Sequence, residues 1–142
     1  MLEIWTDGST RPKKISKKKW EKVGHSSIAV IIKKNGKEIK RFSKYVGILD
    51  NNQAEYEAFI EAVQMAIDLD ERFVKFYTDS NLVEKQLNSK YNVYADSITP
   101  YYMKAKNLLY LIPSYEIKLI SRKLNTEADK LTKMELDNFM AN

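Results

Sequence analysis

The sequence predicts an α/β fold, a mixed β-sheet with helices over both faces, on three observations. A β-branched run over Ser27 to Lys34 meets Asn35-Gly36 and a second extended run, Lys37 to Val46, which is the pattern of a hairpin with a type I′ turn. Over Asn51 to Asp68 the period changes: Ala58, Phe59, Ala62, Val63 and Ala66 recur at helical spacing. Phe73 to Thr78 is then a nearly continuous apolar strand, the kind covered on both faces in α/β proteins.

The remaining elements follow from local signals. Leu2 to Thr6 alternates Leu2 and Ile4 against Glu3 and reads as a first strand stopped by Gly8. Residues 11–22 are dense in lysine and lack apolar periodicity, so an exposed basic loop is expected there. On the returning strand, Phe42 and Val46 are expected on one face and Ile39 and Tyr45 on the other. Leu82, Val83, Gln86 and Leu87 suggest a short helix. Thr99-Pro100 opens a longer one, threonine as cap and proline at the first helical position, with Tyr101, Tyr102, Ala105, Leu108, Leu109 and Ile112 as its buried stripe. Tyr115 to Ile120 supplies the last strand, and Thr126 to Phe139 the last helix, whose Thr126-Glu127-Ala128-Asp129 start resembles a capping box. The order is β-β-β-α-β-α-α-β-α. Right-handed crossovers place the later strands parallel to the first.

A chain of 142 residues has the size of one domain, so a single domain over 1–142 is expected, with one site carrying the function. No apolar run is long enough to cross a bilayer. The opening MLEIWTDGST lacks the basic-then-apolar pattern of a signal peptide, and there are no cysteines, so the expectation is a cytoplasmic protein in a reducing compartment; a monomer is expected. Absence of cysteine excludes thiol nucleophiles and cysteine-ligated zinc; any metal is held by oxygen or imidazole. A net charge of +5 favours polyanions, but charge alone does not separate a nucleic-acid binder from a merely basic protein.

The chemistry lies in the acids. Asp7 and Asp79 each follow a threonine at the end of an apolar strand, in Thr6-Asp7-Gly8-Ser9 and Thr78-Asp79-Ser80-Asn81. If those strands are parallel neighbours, both carboxylates emerge at the carboxyl edge of the sheet, where open α/β sheets place ligands. One aspartate alone reads as a cap; a matched pair repels, and hard cations such as magnesium relieve that repulsion. Stepping three and four residues from Glu55 meets Ala58, Phe59 and Ala62, so Glu55 faces the sheet, whereas Glu57 and Glu61 face solvent. Asp129 sits in the first turn of the last helix, where the dipole already favours an acid.

These four motifs, strand-T-D-G-S, N-N-x-x-E opening a helix, strand-T-D-S and N-x-x-x-D opening the last helix, resemble the type 1 ribonuclease H family over nearly the whole chain. Here they are Thr6 to Ser9, Asn51 to Glu55, Thr78 to Ser80 and Asn125 to Asp129. The resemblance implies a five-stranded mixed sheet of order 3-2-1-4-5 and an endoribonuclease that cuts the RNA strand of RNA/DNA hybrids, leaving a 5′-phosphate and a 3′-hydroxyl. It further implies two magnesium ions, with manganese as a substitute: Asp7 bridges them, Glu55 and Asp79 hold one, and Asp129 helps hold the other. Substrate contacts are implied at Gly8, Ser9, Asn51, Asn52, Gln53, Ser80, Asn81 and Asn125, some of them to 2′-hydroxyls in the minor groove.

The chain departs from the family in two places. A histidine-bearing loop before the last helix is missing, Ile120 to Asn125 being too short for it, and the single histidine, His25, matches no catalytic position and reads as structural. This short loop resembles a branch of the family with an N-N-x-A-E-Y motif. In place of a glycine-rich loop after T-D-G-S stand Arg11, Lys13, Lys14, Lys17, Lys18 and Lys19, followed by Trp20; the lysines are expected to grip the duplex backbone by counterion release. Two rival readings remain: a related nuclease acting on double-stranded RNA or DNA junctions, and an inactive nucleic-acid-binding module. Ser9 two residues after Asp7 speaks against D-x-E exonucleases, and all four acids stand where degenerate copies lose one or more. No G-x-x-x-x-G-K-S/T or G-x-G-x-x-G motif supports a nucleotide-binding role.

Overall fold

A computed structural model describes residues 1–141. The elements are β1 (Leu2–Ser16), β2 (Lys19–Lys34), β3 (Lys37–Asp50), α1 (Asn51–Asp68), β4 (Phe73–Thr78), α2 (Asn81–Leu87), α3 (Thr99–Leu109), β5 (Ser114–Leu119), a single 3-10 turn at Arg122–Leu124 and α4 (Thr126–Ala141). One sheet of order β3-β2-β1-β4-β5 runs antiparallel from β3 to β1 and parallel from β1 to β5, as expected. The main core lies between the sheet and α1, where Leu2, Ile4, Val30, Phe59, Val63 and Phe76 are fully buried. On the opposite face, Ala128 of α4 packs against Ala29 and Ile31 of β2. No described helix is long and apolar enough to cross a membrane.

The first strand corrects the sequence reading. Gly8 does not stop it, and residues 11–22 are not a loop: β1 continues to Ser16 and pairs back with β2 from Lys19, through Pro12↔Gly24, Lys14↔Trp20 and Ser16↔Lys19. The reason is physical. Alternation marks a strand only where one face is buried, and both faces of this ribbon are exposed over most of its length. Gly8 is needed for clearance instead. A Cβ there would lie 2.3 Å from the Ala54 carbonyl carbon of α1.

Other boundaries hold with smaller changes. Asn35 and Gly36 take the positive φ angles, 52° and 83°, that the hairpin turn requires. β3 carries a bulge near Gly47 (φ 95°), which interrupts the alternation expected for Phe42 and Val46. α1 is capped by Asp50, whose carboxylate accepts from Gln53 N–H while the Gln53 side chain accepts from Asp50 N–H. In α3 the cap position is Ile98, not Thr99, whose hydroxyl donates to the Ala95 carbonyl.

Candidate active site

β1 and β4 are parallel and in register through Trp5↔Tyr77, so two positions further along come Asp7 and Asp79, level with one another at the carboxyl edge. α1 passes over this edge close enough for Gly8 N–H to donate to Glu55 Oε1. Ligand oxygens of Asp7, Glu55 and Asp79 thus come within 4.8 Å of one another. Asp129 lines the same cavity but stands outside that trio, held by Lys133 at 2.9 Å one helical turn further along α4. Thr132 fixes the start of α4 on the sheet, its hydroxyl bonded to Ser9 Oγ and donating to the Asp129 carbonyl while its own carbonyl accepts from Ser27 Oγ.

The trio is electrostatically incomplete. Asp7 is 5% exposed and Glu55 7%. Burial, then the Asp79 charge and the Asp129 charge, push the Asp7 carboxyl up to about 7, against a partial offset from its hydrogen bond with Glu55. Burial and the charges of Asp7 and Asp79 raise Glu55 well above the usual carboxylate range. A buried acid on α2 shows the opposite condition: burial also acts on Glu84, but hydrogen bonds from Lys85, Asn88 and Lys90 outweigh it and hold its carboxyl at about 2. The donors of the trio are all hard carboxylate oxygens facing a small cavity, and among the described residues none of the three is in a salt bridge, a set that fits divalent cations such as magnesium.

Residues predicted to touch substrate divide into two groups. Asn51, Asn52, Asn81 and the ribbon lysines are exposed, and Asn51 lines the acidic cavity together with Gly8 and Ser9. Gln53, Ser80 and Asn125 are instead spent internally. Gln53 completes the cap of α1, and Ser80 Oγ accepts from Val83 N–H as the cap of α2. Asn125, 2% exposed, donates through Nδ2 to the Thr6 carbonyl at 2.8 Å and to Asp79 Oδ2 at 3.1 Å. It is a positioning group behind Asp79, not a surface contact.

Two cations escape the sequence reading. Arg122, in the short turn before α4, and Lys133 both line the acidic cavity. Lys133 is legible in principle, four residues after Asp129 on one helix face. Arg122 is not, because a turn of irregular backbone carries no periodicity.

The reverse-transcriptase-like family model matches residues 18–135. The chain belongs to the type 1 ribonuclease H family. Within this family it is 30% identical over 109 residues to ribonuclease HI of Halobacterium salinarum, an alignment covering 77% of this chain and 55% of that protein, so the chain spans about half the length of this curated relative. The crystal structure of RNase H1 from the same halophilic archaeon superposes with a TM-score of 0.86 at 26% identity, over 96% of this chain and 98% of that one. LC11-RNase H1, solved in complex with an RNA/DNA hybrid, gives a TM-score of 0.86 at 26% identity over 99% of both chains. Type 1 ribonuclease H membership accounts for the order of the sheet and for the edge at which the acids meet.

Proposed function

We propose that the protein is an endoribonuclease that hydrolyses the RNA strand of RNA/DNA hybrids, leaving 5′-phosphate and 3′-hydroxyl ends, as a cytoplasmic monomer. The observation that carries this reading is the unsatisfied trio Asp7, Glu55 and Asp79 at the edge of the sheet, in a chain of this family. The hybrid seen with LC11-RNase H1 supports the substrate class.

Asp7, Glu55 and Asp79, with Asp129 beside them, are the residues that would hold two magnesium ions, or manganese in their place. Such a pair supplies Lewis-acid polarisation of the phosphodiester and neutralises charge on the leaving oxygen. The protein's own groups prepare the site. Asn125 orients Asp79, the Gly8 amide fixes one Glu55 oxygen, and Thr132 seats the turn that carries Asp129. Arg122 and Lys133 bring positive charge to the wall of the cavity, where they attract the scissile phosphate and hold it over the acids. Asn51, Asn52 and Asn81, with Gly8 and Ser9 behind them, face the minor groove, where 2′-hydroxyls distinguish RNA from DNA. Lys13, Lys14, Lys17, Lys18 and Lys19 hold the duplex backbone outside the site.

Labelled RNA/DNA, RNA/RNA and DNA/DNA duplexes, incubated with and without magnesium beside an Asp7→Asn variant, test the proposal. The hybrid should be cut in magnesium by the unsubstituted protein alone. Cleavage confined to DNA/DNA, or surviving in Asp7→Asn, would reject it.

A further inference from the structure

Beside the acidic site lies a larger concavity of about 700 Å³, between the basic ribbon and the C-terminal end of α4. Its volume is in the range of about 300–1,000 Å³ usual for sites that enclose an organic ligand. Trp20 of the ribbon, Ile48 of β3 and Met140 of α4 border it, each more than half exposed. Three large apolar side chains left uncovered around one hollow mark a binding surface. Its shape is held from behind: His25, which lines the hollow, bonds through Nδ1 to Tyr45 Oη at 2.8 Å, and Phe139 stacks on Tyr45 with centroids 3.6 Å apart. Gly24 lets the two ribbon strands close at its base, since a Cβ there would meet the Arg11 carbonyl oxygen at 2.0 Å.

We infer that this hollow takes an unpaired nucleobase, so that a single-stranded extension of the hybrid is gripped together with its duplex. The inference rests on the nuclease reading and names a further subsite for it. Charge and chemistry select the occupant. Trp20 stands within Lys17-Lys18-Lys19-Trp20-Glu21-Lys22, and the Lys14 ammonium lies 5.6 Å from its ring centroid. An aromatic face set among lysines is the arrangement that stacks a base while its backbone is neutralised. Within a duplex the base faces are already stacked on each other, so an internal base pair offers Trp20 no free face, whereas an unpaired base does.

Position makes the hollow continuous with the site. Thr10 lines both cavities. From Asp7 to Lys14, the residue that pairs with Trp20, the strand advances seven residues, about 23 Å at about 3.3 Å per residue. That span equals about seven steps of duplex at about 3.4 Å each. A strand running along β1 that left the duplex at that distance from the scissile phosphate would reach Trp20.

The test measures affinity by fluorescence anisotropy, without divalent ions, for a blunt hybrid and for four hybrids each carrying a short single-stranded extension at a different end. At least one extended hybrid should bind about fivefold tighter or more, the worth of one stacked base. That gain should vanish in Trp20→Ala and in Ile48→Ser, the second lying outside the ribbon and so independent of its folding. Equal affinity for blunt and all extended hybrids overturns the inference, and so does a gain that survives both substitutions. A concentration-dependent dimer broken by Trp20→Ala, with no gain from any extension, also overturns it and assigns the hollow to a second copy of the chain. Cleavage of the blunt hybrid in magnesium is scored separately: an extension gain on a hybrid that is never cut upholds the hollow and strikes the nuclease reading.

Discussion

Two buried acidic regions lie close along the chain at helix α2, Asp79 just before its cap Ser80 and Glu84 within it, and their chemistry differs. Glu84 is 3% exposed and fully supplied with donors: Lys85, Lys90 and Asn88 surround it, and Asn88 also donates to the Ile117 carbonyl of β5. Asp7, Glu55 and Asp79 are packed together, with one backbone amide and one asparagine as their main donors. The first region lowers the pKa of its acid and the second raises the pKa values of Asp7 and Glu55. Burial alone therefore does not mark a functional acid; burial without compensation does, because the fold must then bear a cost that only a ligand removes.

The largest effect that sharpens this contrast is on catalysis. Asp7→Asn should lower cleavage of an RNA/DNA hybrid by more than about 100-fold, the upper end of losses on removing groups that merely support metal ligands. Glu84→Gln should leave kcat near that of the parent. Single-turnover cleavage of the two variants side by side checks both, and equal losses would erase the distinction between the regions.

Asn125→Ala comes next. It removes the donor to Asp79 without touching a ligand, and a loss of about 10- to 100-fold is expected. Rescue by raised magnesium would identify the effect as weakened ion binding; a loss indifferent to magnesium would place Asn125 in folding only.

Stability should move in opposite directions. Glu84→Gln gives up charge-assisted hydrogen bonds and should cost about 2 kcal/mol in urea denaturation. Asp7→Asn removes a charge the metal-free fold disfavours and should gain more than about 1 kcal/mol at pH 8. The pH dependence follows the same signs. Asp7 has a folded-state pKa raised to about 7 from 3.8, so its contribution is fully present below pH 3.8 and is lost as pH rises through 7. Glu84 is lowered from 4.5 to about 2, so its contribution is present above 4.5 and is lost as pH falls toward 2. Metal-free protein should thus lose stability between about pH 4 and about pH 8 through Asp7, and Asp7→Asn should flatten that decline.

The smallest effect concerns the ribbon. Glutamine at Lys13, Lys14, Lys17, Lys18 and Lys19 should raise KM and reduce the slope of log affinity against log salt by about 0.9 for each phosphate no longer neutralised, with kcat kept. Unchanged affinity and slope would remove the ribbon from substrate binding.

How much of this is legible in the sequence depends on whether a residue's partners leave a periodic trace. The paired Thr-Asp motifs at strand ends and Glu55 on the apolar stripe of α1 lead to three converging carboxylates, since register and helical phase follow from spacing. Helix positions are readable for the same reason, whereas the sheet order 3-2-1-4-5 comes from the family resemblance. The ribbon is not, because β-pairing without a buried face leaves no alternation, and Gly8 signals a stop while its actual constraint is the approach of Ala54. Asn125, Gln53 and Ser80 hold motif-like positions, yet Gln53 and Ser80 serve as caps to nearby backbone N–H groups, and Asn125 donates across elements to the Thr6 carbonyl, a contact that spacing does not reveal. Arg122 and the satisfied state of Glu84 depend on contacts across elements and emerge only from the assembled fold.

The contrast between the two acidic regions rests on one claim, that Glu84 is ion-paired within the fold and the trio needs an added cation. Thermal denaturation at about pH 8, above the raised Asp7 pKa, of the parent, Asp7→Asn and Glu84→Gln, with magnesium or manganese titrated into chelator-treated protein, tests it most directly. The ion should raise the melting temperature of the parent and of Glu84→Gln in a saturable manner and leave Asp7→Asn nearly unmoved. A saturable rise of equal size in Asp7→Asn, or none in the parent, would contradict it.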